Sequence, residues 1–138
     1  MLLSKKERAA LQLVANGHTA ASAAIELQTT LYAIEHALQR AHLKLSANDG
    51  VEGIVFGIQR GEINRPAPSE SLQKAVQSLS GRERDVWELL AEGLEYAQIG
   101  KKLAIAATTV DSYLQNLYRK LGVHNRVHAT FLYLQCEI

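Results

Sequence analysis

Outside one short stretch, apolar residues recur at the three-to-four spacing of amphipathic helices, and strict two-residue alternation of β-branched residues is absent. The intervening positions are rich in Ala, Glu, Gln and Lys, which are good helix formers. The clearest stripe is Val110, Leu114, Leu117, Tyr118 and Leu121, which share one face of a helix ending at Gly122. Before it, Val86, Trp87, Leu89, Leu90 and Leu94 follow Ser80 and Glu83, whose spacing fits a capping box, and Gly93 stands where a left-handed stop is expected. A short helix over about 97–103 and a turn at 104–107 lead to Thr108 or Thr109 as the next N-cap, and Asn125 opens a last helix with Val127, Phe131, Leu132 and Leu134.

Both prolines, Pro66 and Pro68, lie near the middle of the chain, where their missing N–H and ring clash interrupt helix. Sliding the first half by 76 positions then aligns Leu3-Ser4 with Leu79-Ser80, Glu7-Arg8 with Glu83-Arg84, and Gly17 with Gly93. The same shift pairs Leu38-Gln39 with Leu114-Gln115 and Lys44-Leu45 with Lys120-Leu121. The first half thus predicts the same plan, with a Ser4/Glu7 capping box, a Gly17 stop, and caps at Thr19, at Thr29 or Thr30, and at Asp49. The expected organisation is all-α: a unit at 1–61, a proline-containing linker at 62–78 with a short helix near 71–78, and a unit at 79–138.

A tight turn between two short helices, the second amphipathic and both backed by a third, is a helix-turn-helix pattern. The residues Leu79-Ser-Gly-Arg-Glu-Arg-Asp-Val-Trp-Glu-Leu-Leu-Ala-Glu-Gly-Leu94, Ile99-Gly-Lys-Lys-Leu103, Thr108-Thr-Val110 and Tyr118-Arg-Lys-Leu-Gly-Val123 closely resemble the LuxR/GerE/NarL-type DNA-binding domain. The first half resembles a degenerate copy of it, so the chain looks like a tandem pair.

The resemblance implies that the third helix of each unit enters the major groove of double-stranded DNA. Base contacts would then come from Asp111, Ser112 and Gln115 and, by the repeat, from Glu35, His36 and Gln39. Phosphate contacts would come from Thr108 and Thr109, and from Thr30 with Tyr32. Lys101, Lys102, Arg119, Lys120 and Arg126, with Arg40 in the first unit, would supply charge. Glutamine can bond adenine N6 and N7 together, which makes Gln39 and Gln115 the expected base readers. The family usually places lysine where Glu35 and Asp111 stand, and a carboxylate is repelled by phosphate. The function implied is sequence-specific transcriptional regulation; the alternative is an antagonist that pairs with a LuxR-type regulator without reading DNA.

Charge sharpens that tension. Fifteen Lys and Arg against fourteen Asp and Glu leave a formal charge of +1, so neither unit has the basic patch of an autonomous DNA binder. One cysteine, Cys136, excludes an internal disulfide. His124 and His128 stand four apart, with no carboxylate or further cysteine at matching spacing, so no metal, cofactor or enzyme chemistry is expected. The absence of a signal-peptide pattern or a long apolar run predicts a cytoplasmic protein away from membranes.

Gly53, Gly57 and Gly61 recur every four residues in the first unit's last predicted helix. Interior helix glycine costs about 1 kcal/mol relative to alanine, so close approach of another element is expected there. In the resembling family this helix forms the dimer interface. The reading that follows is an intramolecular pseudo-dimer, with Phe131, Leu132 and Tyr133 against Gly53 and Gly57; its rival is a homodimer.

Overall fold

A computed structural model describes residues 2–136, and the described residues contain helices and no strand. They divide into two compact units, Met1–Arg65 and Pro66–Ile138. The first unit holds α1 (Lys5–Ala15), α2 (Ala20–Glu26), α3 (Leu31–Leu45) and α4 (Gly50–Gln59). The second holds α5 (Glu70–Gln77), α6 (Gly81–Ala91), α7 (Tyr96–Leu103), α8 (Ala107–Leu121) and α9 (Arg126–Cys136). The predicted second unit extends to residue 138, beyond the described residues. Helices α1, α2, α3 and α4 begin 76 residues before α6, α7, α8 and α9 respectively. No described helix is long and apolar enough to cross a membrane.

The helix boundaries follow local chemistry. The Ser4 and Ser80 hydroxyls accept from the Glu7 and Glu83 N–H groups at 3.2 and 3.1 Å, while each glutamate reaches back to its serine N–H. Gly17 and Gly93 adopt φ of 103° and 92°, a region closed to most side chains, and so end α1 and α6. Of the two threonines offered for α3, Thr30 is the cap, its Oγ1 accepting from Ala33 N–H at 3.1 Å. For α8 the expectation fails. The helix starts at Ala107 with Ala106 at the cap, and Thr108 and Thr109 lie inside the first turn. The Ile105 N–H bonds Gly100 O at 2.9 Å and Ala104 is left-handed, so the turn closes too early for either threonine to cap.

In the second unit Leu79, Val86, Leu90, Ile99, Val110, Leu114 and Leu117 form the core. Trp87 is buried with them, and its Nε1 donates to Ala129 O at 2.8 Å, tying α6 to α9. In the first unit Leu3, Leu11, Ile34, Leu45 and Ile54 are buried. That unit also claims part of the expected linker: Glu62 and Ile63 are buried, and Asn64 N–H donates to Gln12 Oε1 at 2.6 Å.

Candidate nucleic-acid interface

Burial of Val110, Leu114 and Leu117 turns the opposite side of α8 to solvent. Thr108, Ser112, Gln115 and Arg119 are exposed there at helical spacing and form one stripe, with Thr109 exposed beside it. Lys101 and Lys102, at the end of α7, are exposed and form no ion pair among the described residues. Ser112 Oγ donates to Thr108 O at 3.3 Å, and Arg119 Nη2 donates to Asn116 Oδ1 at 3.0 Å. Gln115 Nε2 donates to Asp111 Oδ2 at 3.0 Å. That bond holds the Gln115 amide in one orientation and leaves its carbonyl oxygen and second amide hydrogen free. Asp111, half-buried, therefore orients Gln115, a use of the acid that its identity alone does not suggest.

Three cations expected to contact DNA are engaged inside their own units. Lys120 Nζ bonds Glu83 Oε1 at 2.8 Å and Ser78 O at 3.2 Å. Arg126 donates through Nη2 to Leu90 O, in the last turn of α6, and to Leu94 O, in the turn that follows, and lies 3.6 Å from Glu95. Arg40 Nε bonds Glu7 Oε2 at 3.1 Å, and Lys44 bonds the other oxygen at 2.8 Å. Burial raises the Glu7 pKa, but the bonds from Lys44, the Ser4 N–H and Arg40 outweigh it and hold the carboxyl at about 2. Burial likewise raises Glu83, and Lys120 with Ser80 brings it below the usual carboxylate range. A buried carboxylate under a capping box needs a cation above it, and the helix carrying the expected phosphate contacts supplies one in each unit.

The other first-unit candidates are dispersed in character. Thr30 spends its hydroxyl on the cap of α3. Tyr32 is 70% exposed and its ring stacks on His36 at 4.0 Å. Glu35 and Gln39 are exposed.

The glycine face is filled from within its own unit. A Cβ at Gly53 would lie 2.7 Å from the His42 ring, and one at Gly57 would lie 3.2 Å from both Ile63 and Leu11. Gly61 is not on that face: α4 ends at Gln59, and Gly61 at φ 69° forms the turn after it. Phe131 is buried, and Leu132 and Tyr133 pack against the second unit's core. Tyr133 meets Trp87 edge-on at 5.2 Å. The atoms that approach Gly53 and Gly57 most closely therefore belong to the first unit itself. Gly57→Leu should destabilise the first unit by about 1–3 kcal/mol through overpacking against Leu11 and Ile63. A shift of the second unit's Trp87 unfolding transition in the same variant would point instead to an inter-unit role for the glycine.

Comparison with known proteins bears on the second unit. The family model described as bacterial regulatory proteins, luxR family, matches residues 77–133. Residues 77–133 are a LuxR/GerE-type helix-turn-helix domain. This LuxR-type domain is similar to the nitrate/nitrite response regulator protein NarP of Escherichia coli, with 49% identity over 57 residues, 41% of this chain and 26% of that protein. The putative HTH-type transcriptional regulator YhjB of Escherichia coli is 38% identical over 68 residues, 49% of this chain and 34% of that protein. The transcriptional regulatory protein DesR of Bacillus subtilis is 32% identical over 88 residues, 63% of this chain and 44% of that protein. The chain spans less than half the length of each of these relatives. No solved structure matches it.

The LuxR-type domain includes the stripe on α8 and the lysines of α7. Its His124–His128 pair acquires no third ligand: among the described residues, no group of three or more His, Cys, Asp or Glu could hold a metal ion.

Proposed function

We propose that the second unit is the DNA-reading part of a transcriptional regulator, inserting α8 into the major groove of duplex DNA. The observation that carries this reading is the exposed stripe Thr108, Ser112, Gln115 and Arg119 beside the free Lys101 and Lys102, within a LuxR-type domain. Gln115 reads a base edge, held in place by Asp111; Thr108 and the lysines approach phosphates. Lys120 and Arg126 act instead as internal braces. The first unit is a diverged copy of the same domain, a reading supported by the common 76-residue offset of its helices and by the matching glutamate networks.

Fluorescence anisotropy against duplexes selected from a random pool, at stated salt, tests this. Lys101→Ala with Lys102→Ala should weaken specific and random duplexes alike and reduce the salt slope by about 2. Gln115→Ala should cost about 1–3 kcal/mol on the selected duplex and relax preference at one position. Equal losses on selected and random DNA from Gln115→Ala would remove it as the reader. Failure to select any duplex would favour the antagonist, a reading supported by the small number of free cations.

A further inference from the structure

The first unit differs from the second most sharply on the surface corresponding to the DNA-facing one. At the 76-residue offset Ile25 stands for Lys101, Glu26 for Lys102, Tyr32 for Thr108 and Leu43 for Arg119. Ile25, Tyr32 and Leu43 are 78%, 70% and 79% exposed, and Leu31, in place of Ala107, is exposed too. A cationic and polar face has become apolar, which suits no polyphosphate.

Beside it, between α1 and α3 and reached by Tyr32, lies a groove of about 600 Å³. Leu27, Tyr32, Ala33 and Ala37 line it, and the small Ala9 lets α1 and α3 leave room. Its charged lining residues are Lys5, Lys6 and Arg40; no carboxylate lines it. Lys5 and Lys6 form no ion pair among the described residues, and Arg40 shares Glu7 with Lys44, so two cations face one anion there and the net charge is positive. We propose that this groove docks an acidic amphipathic helix of a partner protein, its apolar stripe on Leu27, Tyr32 and Ala33 and its carboxylates toward Lys5, Lys6 and Arg40. Helix-in-groove recognition needs an apolar trough with charge at its rim, and both are present. The proposal stands apart from DNA reading by α8, since it uses none of that helix.

The test uses the full chain and a synthetic amphipathic helix with leucines on one face and glutamates elsewhere, beside a twin carrying lysine for every glutamate. The glutamate peptide should bind saturably, with amide shifts confined to Lys5, Ala9, Ala33, Ala37 and their neighbours. Lys5→Glu with Lys6→Glu, both exposed and remote from the core, should weaken it about tenfold and strengthen the lysine twin. Tyr32→Ser should weaken both peptides, while anisotropy on DNA and Trp87 fluorescence stay as in the parent. Indifference to peptide charge, or shifts mapping elsewhere, would overturn the proposal. So would displacement of the peptide by a random duplex, saturation of the groove by decanoate with no peptide binding, or self-association of the chain through the same residues.

Discussion

Glu83→Ala should lower the unfolding free energy of the second unit by about 2–4 kcal/mol. The carboxylate is 5% exposed and its Oε1 accepts both from Ser80 N–H and from Lys120 Nζ, each at 2.8 Å. Removing it takes away the half of the capping box that accepts from the Ser80 N–H and leaves Lys120 without its anion at the end of α8. Lys120 is 31% exposed, so water recovers part of the loss, which holds the figure below that of a sealed pair. Glu83→Gln keeps an oxygen for the Ser80 N–H and should cost roughly half as much. Trp87 is the sole tryptophan and lies in this unit's core, so urea unfolding followed by its fluorescence isolates the transition. Coincident midpoints for parent and Glu83→Ala would mean that the pair contributes nothing. Lys120→Met, leaving a buried carboxylate unpaired, should destabilise by a comparable amount.

This brace also decides which charges remain for DNA. A lysine near the end of a helix reads from sequence as a phosphate contact or as a complement to the helix dipole. What the sequence conceals is that Glu83, a capping-box residue usually thought of as solvent-facing, is buried under Lys120. Arg126 is concealed in the same way, because its partners are the backbone carbonyls of Leu90 and Leu94, which carry no side-chain signature.

Local signals were the legible ones. The capping boxes, the Gly17 and Gly93 stops, the Thr19, Thr30 and Asp49 caps and the helix before Leu79 each depend on a few neighbouring residues, and the structure has them. The α8 start was misplaced because its turn is closed by backbone alone, which no cap residue advertises. The glycine face is ambiguous from sequence for a different reason. Spacing says that something approaches Gly53 and Gly57 closely, but not whether it is His42, Leu11 and Ile63 of the same unit or a foreign helix. The groove has a signal in the repeat, Tyr32 opposite Thr108, while Ile25 opposite Lys101 and Leu43 opposite Arg119 lie outside it. Its recognition required knowing that those side chains are exposed.

Acid should unfold the first unit through Glu7, and the sign follows from the direction of its shift. The folded carboxyl sits at about 2 against an ordinary value of 4.5, so the folded state favours the ionised form. Its contribution is complete above pH 4.5 and is lost as pH falls from 4.5 through about 2. The full shift corresponds to about 3 kcal/mol, an upper figure because Arg40 and Lys44 are 52% and 40% exposed and partly hydrated. Salt should reduce the effect for the same reason. Amide signals of Leu11 and Ile34, both in this unit's core, report its unfolding separately from Trp87. Glu7→Gln should be less stable than the parent at neutral pH and should have a flatter dependence between pH 4.5 and 2, the two proteins converging at the acid end. Parallel curves for parent and Glu7→Gln across that window would show that the acid sensitivity of the first unit comes from other carboxylates, and that Lys44 and Arg40 do not hold Glu7 ionised.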